Sequence, residues 1–227
     1  MVQRAPRAER VAIAGPAGAL EALIETPVGE GADEPVRAFG VVCHPHPLHG
    51  GTLDNKVTWT LARAFQQLGA PAIRFNFRGV GHSAGSYDEG RGETYDALAV
   101  IEFGRRRWPQ AALWLAGFSF GGVVAVRAAR SAQPQPQRLV LVAPGITKID
   151  VGPRPVPACP WLIVQGDADD VVPAATVLEW ARTLEPPPTL SVLAGAGHFF
   201  HGRINELRDA VVEFMQRVAA GATAPQQ

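Results

Sequence analysis

The stretch from Ala112 to Arg130 constrains the fold more than any other part of the chain. Ala112-Leu-Trp-Leu-Ala116 is an apolar run too short and too uninterrupted for an amphipathic helix, and it suits a strand buried on both faces. Gly117-Phe-Ser-Phe-Gly121 follows at once, and Gly122 to Arg130 reads as a helix of small residues. A serine between two glycines at a strand-to-helix switch fits a sharp elbow, because the flanking positions must be small for the two elements to approach. The turn lifts Ser119 Oγ clear of the sheet and places it at the positive end of a helix dipole. As a bare pattern Gly-x-Ser-x-Gly is only a common glycine-rich connection, so its meaning rests on the rest of the chain.

In chain order, residues 1–10 read as a loose arm. Val11 to Ile13 and Ala19 to Thr26, separated by Gly15-Pro-Ala-Gly18, read as a hairpin, although the alanines of the second half also suit a helix. Val28 to Val36 is a loop by composition, and Phe39-Gly-Val-Val-Cys43 a short buried strand. That strand runs into His44-Pro-His-Pro-Leu-His-Gly-Gly51, where the prolines impose an extended path and remove amide donors. Neighbouring side chains diverge on such a path, so the three histidines make a rigid loop rather than a metal site. Trp59 to Leu68 has helical apolar spacing, Ala70 to Phe75 is a strand, and Glu93 to Arg107 is a helix with acidic residues early and arginines late. Strands are expected over Arg138 to Ala143, Trp161 to Gln165 and Thr189 to Leu193, and helices over Ala174 to Leu184 and Ile204 to Ala219. Residues 11–220 thus form one expected domain, with a frayed tail over 221–227.

Strand alternating with helix implies a mostly parallel sheet covered on both faces, and working residues of such sheets lie at the carboxyl ends of strands. After Trp161 to Gln165 comes Gly166-Asp-Ala-Asp-Asp-Val-Val-Pro173, and after Thr189 to Leu193 comes Ala194-Gly-Ala-Gly-His198. Strand ends therefore carry a serine, an acid cluster and a histidine in that order. A serine hydroxyl is a poor nucleophile at neutral pH. A neutral imidazole must take its proton and return it to the leaving group, and a carboxylate must hold that imidazole in the right tautomer. His198 fits the second role; His201 and His82 are read as loop histidines without a catalytic part. Spacing alone does not choose among Asp167, Asp169 and Asp170. The oxyanion needs two donors: the backbone N–H of Phe120, just after the nucleophile, and an amide of the loop after Cys43, either His46 or Leu48.

Composition excludes other classes. Formal net charge is zero, so no basic field invites nucleic acid, and no window has the apolar length that crosses a bilayer. Gly79 and Gly81 lack the third glycine and the later acidic residue of a dinucleotide fingerprint. The two cysteines, Cys43 and Cys159, sit beside apolar strands as buried thiols, and the first ten residues carry charges without an apolar run, so a cytoplasmic location is expected. From Pro144 to Pro160 the chain has five prolines and too little length for the helices of a cap.

Taken together, Gly117-Phe-Ser-Phe-Gly121, Asn76-Phe-Arg-Gly-Val-Gly-His-Ser83, Gly166-x-x-Asp169-x-x-Val172-Pro173 and Gly197-His198 resemble the motifs of the α/β-hydrolase fold. More narrowly, His44-Pro-His-Pro-Leu-His-Gly-Gly51 with Asp54-Asn-Lys56 resembles a bacterial group of small, lidless serine hydrolases related to dienelactone hydrolases and carboxylesterases. The resemblance implies an eight-stranded sheet with one antiparallel strand, no cap domain, and Asp169 as the acid; it also makes Arg78 structural. The chain carries serine at position 119 where true dienelactone hydrolases carry cysteine, and where epoxide hydrolases and dehalogenases would require aspartate. The expected activity is hydrolysis of small or medium carboxylic esters through an acyl-enzyme, without metal or cofactor, with a small-molecule ester and water as the partners and no nucleic acid or membrane. A monomer or homodimer is expected. Thioesterase and peptidase activities, or a catalytically silent binding scaffold, are the competing readings.

Overall fold

The apolar runs form one eight-stranded sheet in a computed structural model that describes residues 7–27, 35–151 and 157–223. The strands are β1 (Arg7–Gly15), β2 (Gly18–Thr26), β3 (Ala38–Cys43), β4 (Ala72–Phe75), β5 (Ala112–Phe118), β6 (Arg138–Val142), β7 (Trp161–Gly166) and β8 (Thr189–Leu193). Their spatial order is β1-β2-β4-β3-β5-β6-β7-β8. β2 runs antiparallel to both of its neighbours, and every pairing from β4 through β8 is parallel. The helices are α1 (Lys56–Gln67), α2 (Arg91–Arg107), α3 (Phe120–Ser131), α4 (Ala174–Arg182) and α5 (Ile204–Thr223).

Parallel central strands are apolar at every position because both faces are covered. Successive residues divide between two cores with period two. Leu139 and Leu141 of β6, with Trp161 and Ile163 of β7, join the core under α2, α3 and α4. Val140, Val142, Leu162 and Val164 join the one under α1 and α5. Close approach of helix to sheet needs glycine at two places: a Cβ on Gly40 would lie 2.3 Å from the Phe65 ring of α1, and one on Gly104 the same distance from the Phe39 ring.

Several boundaries differ from those expected. Arg7 to Arg10 belong to β1 rather than to a loose arm: the register pairs Arg7 with Thr26, and the charges are answered across the surface by Arg10–Glu21 and Arg107–Glu9 ion pairs. Residues 1–6 of the expected arm lie outside the described residues, as do 28–34 of the expected loop and 224–227 of the expected tail. α5 continues to Thr223, through Gly221. α1 starts at Lys56, three residues before Trp59, because the Asn55 side chain accepts from the Val57 and Thr58 amides at 2.9 and 3.3 Å. α3 starts at Phe120, immediately after the serine. The connection from β6 to β7 contains neither helix nor strand among its described residues. Among the described residues no helix is long and apolar enough to cross a membrane.

Candidate active site

Ser119 occupies the turn between β5 and α3 with φ 53° and ψ −116°, a conformation that non-glycine residues rarely adopt. The flanking glycines make it possible. A Cβ on Gly117 would stand 2.1 Å from Gly121 O, and one on Gly121 would stand 2.3 Å from Cys43 O and 2.4 Å from His44 O. The second contact also presses the start of α3 against the loop after β3. Ser119 is held from the next strand and its loop, since its N–H donates to Val142 O at 2.9 Å and its carbonyl accepts from Gly145 N at 3.0 Å.

Of the sequence-predicted residues, the fold brings Ser119, His198 and Asp169 together. His198 Nε2 lies 3.1 Å from Ser119 Oγ, and His198 Nδ1 lies 2.8 Å from Asp169 Oδ2. Since the carboxylate can only accept, Nδ1 carries the proton and Nε2 presents its lone pair to the hydroxyl. His198 and Asp169 are 4% and 7% exposed, so the pair is dry while Ser119 stays half-buried and within reach. The loop carrying His198 is anchored behind it by Phe200, fully buried at φ 52°, and the imidazole lies against the rings of Phe118 and Phe199.

Asp169 is separated from its neighbours by contact rather than by spacing. Burial opposes its ionisation, but hydrogen bonds from His198 and from the Val172 and Val171 amides outweigh that and hold its carboxyl below the ordinary carboxylate range. Those amides reach Oδ1 at 2.7 and 2.9 Å. Asp167 instead accepts from Gly195 N and ties the β7 and β8 loops, and Asp170 is exposed. His201 and His82 are exposed loop residues that the fold does not bring to Ser119 by any hydrogen bond among the described residues.

The loop after β3 separates the two amides that the sequence leaves equal. Pro45 and Pro47 have no N–H. The Leu48 N–H donates to His46 Nδ1 at 3.2 Å and the His49 N–H to His46 O at 3.1 Å, so between Pro45 and His49 the His46 N–H alone has no acceptor among the described residues. The Leu48 amide is thus engaged within the loop, and its side chain is 67% exposed. The His46 ring lies 5.0 Å from that of Phe120, whose own N–H opens α3. Burial, then His49 and Lys148, lower the pKa of His46 and favour its neutral form. With Nδ1 accepting from Leu48, its proton is on Nε2, 3.3 Å from Tyr87 Oη.

Three contributors escape sequence reasoning. His44 is fully buried, donates from Nδ1 to Pro45 O at 2.6 Å and accepts the Phe77 N–H on Nε2 at 3.0 Å, which joins the loops after β3 and β4. Tyr87 packs on His46 and Phe120; its segment is held by Glu93, which accepts from Asp88 N and Gly90 N, and by the Arg78–Asp96 pair. Gln165, the last residue before Gly166, donates to Asp169. Among the described residues no group of His, Cys, Asp and Glu is arranged to hold a metal ion; His44 is consumed by the backbone, and His46 and His49 stack on each other at 4.6 Å.

The chain is similar to known proteins in sequence and in fold. The family described as serine aminopeptidase, S33 matches residues 41–159. A serine hydrolase of the α/β class without a lid, from Xanthomonas campestris, is 41% identical, with a TM-score of 0.86 over 93% of this chain and 94% of its own. An α/β serine hydrolase homologue from Coxiella burnetii is 44% identical, with a TM-score of 0.80 over 90% and 96% of the two chains. An uncharacterized protein of Rickettsia prowazekii is 30% identical over 213 residues, covering 88% of this chain and 86% of its own.

Proposed function

The chain belongs to the α/β serine hydrolases, and from that premise we propose that it cleaves carboxylic esters of small or medium acyl groups through an acyl-enzyme on Ser119. The observation that carries the reading is the continuous line Ser119 Oγ, His198 Nε2, His198 Nδ1, Asp169 Oδ2, with separations of 3.1 and 2.8 Å about a single imidazole. Ser119 Oγ attacks the ester carbonyl as its proton passes to His198 Nε2, and Asp169 stabilises the imidazolium. The oxyanion is held by the N–H groups of Phe120 and His46, amides at the contact between α3 and the loop after β3 for which the described residues offer no acceptor. His198 then gives its proton to the leaving alcohol. Water, deprotonated by the same imidazole, attacks the acyl-enzyme and releases the acid with Ser119 restored.

The described residues of the connection from β6 to β7 form neither helix nor strand that could cover a lipid tail, which supports short rather than long acyl chains. A cytoplasmic setting is part of the same reading, supported by two cysteines that are buried as free thiols. The description of the matching family favours a second reading, an aminopeptidase using the same three residues. A panel of p-nitrophenyl esters from acetate to laurate, assayed beside aminoacyl p-nitroanilides, separates the two. Turnover highest on the acetate and butyrate esters and abolished in Ser119→Ala supports the ester reading. Faster anilide than ester cleavage would replace it with the peptidase, and a folded protein inert to every substrate would point to a silent scaffold.

A further inference from the structure

We infer that Gln165 is a positioning residue for the reaction, holding the Asp169 carboxylate in the orientation that lets it serve His198. The inference deepens the proposed function and rests on its assignment of Ser119, His198 and Asp169. Gln165 is the penultimate residue of β7 and is fully buried. Its Nε2 faces three oxygens: Asp169 Oδ2 at 3.0 Å, Val172 O at 3.1 Å and Gly166 O at 3.3 Å. Two protons for three acceptors fix the amide orientation, since the flipped side chain would set a carbonyl oxygen against three others. The other end of the amide shows what that arrangement costs. Gln165 Oε1 is buried without a hydrogen-bond partner among the described residues, a state that buried polar atoms rarely occupy.

The atom that Gln165 holds is the one that matters. Asp169 Oδ1 accepts from the Val171 and Val172 amides, while Oδ2 receives, among the described residues, only the His198 N–H and the Gln165 amide. Gln165 is therefore the side-chain donor that shares Oδ2 with the imidazole. By also bonding Val172 O it closes the turn that carries Asp169 back onto the strand it left. Two effects follow. The carboxylate cannot rotate away from His198, and part of its charge is spread into the amide, which moderates its pull on the imidazolium.

The test replaces the donor by an apolar side chain of similar length, Gln165→Met, and restores a donor at about the same reach with Gln165→His, using the full chain and p-nitrophenyl butyrate. The Met variant should lose roughly tenfold to a hundredfold in kcat, the range that one charge-assisted hydrogen bond commands, with KM within about threefold of wild type. The His variant should recover most of kcat. In an Asp169→Asn background the Met substitution should cost little more, as expected for two groups acting through one bond. That cycle is read at a temperature where circular dichroism shows every variant folded. Wild-type kcat in Gln165→Met, or fully additive losses in the cycle, would overturn the inference while leaving the proposed function intact. An unimpaired Asp169→Asn enzyme would remove the proposed function, and this inference with it.

Discussion

Acidification should loosen the fold through His44 before it touches the carboxylates. Burial lowers this imidazole from its ordinary 6.5 to about 4, and its Nε2 accepts the Phe77 amide, so a proton there would break that bond and leave a charge in the core. The folded state binds this proton less readily than the unfolded chain. Stability is therefore fully present above pH 6.5 and is lost as pH falls toward 4. At about 1.4 kcal/mol per pH unit the full gap is worth about 3 kcal/mol, most of which should be gone by pH 4.5. Asp169 and Glu21 add losses of the same sign, but both are held below their ordinary ranges, so their contribution begins where that of His44 is ending. Urea unfolding followed by tryptophan fluorescence between pH 7 and 4.5 gives the slope directly. His44→Gln, which keeps an acceptor for the Phe77 amide but does not titrate, should be less stable at pH 7 and show a clearly shallower slope across this interval, the remainder coming from His46, whose pKa burial also lowers. An equal slope in wild type and variant would refute the reasoning.

Other expectations follow from single contacts. Gly121→Ala should reduce kcat by roughly tenfold or more with a lowered melting temperature, because its Cβ meets Cys43 O and His44 O at 2.3 and 2.4 Å and must push the loop bearing His46 off α3; wild-type kinetics would deny that this contact sets the oxyanion geometry. Arg74→Met should cost about 3–5 kcal/mol by denaturant titration, since Arg74 Nε bonds Glu25 Oε2 at 2.9 Å with both side chains buried and removal leaves a carboxylate unpaired. Asp169→Asn should lower kcat by roughly 10³–10⁴-fold with little change in KM, through loss of the Nδ1–H tautomer of His198, whereas Asp167→Asn, away from the imidazole, should stay within about threefold of wild type.

What could be read from the sequence was whatever the backbone dictates locally. The elbow was legible because Gly117 and Gly121, two residues before and after Ser119, admit no side chain, and the order serine, acid, histidine was legible because strand ends of a parallel sheet converge on one edge. β1 was misread at Arg7 to Arg10 because an edge strand can carry charges along its length and shows no apolar alternation there. The start of α1 was missed because Asn55, read as part of a motif, acts as its cap. Choosing among Asp167, Asp169 and Asp170, or between His46 and Leu48, depended on which hydrogen bonds are already spent, and those partners lie up to 29 residues away in the chain. Gln165 and Tyr87 act only through such contacts, and nothing in their sequence neighbourhood marks them.

The central claim is that Ser119 carries the acyl group. Rapid-quench mass spectrometry of the enzyme mixed with p-nitrophenyl acetate tests it most directly, with peptide mapping to locate the adduct. An acetyl group on the peptide containing Ser119, formed within the burst and absent from Ser119→Ala, is the predicted result. Steady turnover with no acyl-enzyme at Ser119, or with acetyl on another residue, would contradict it.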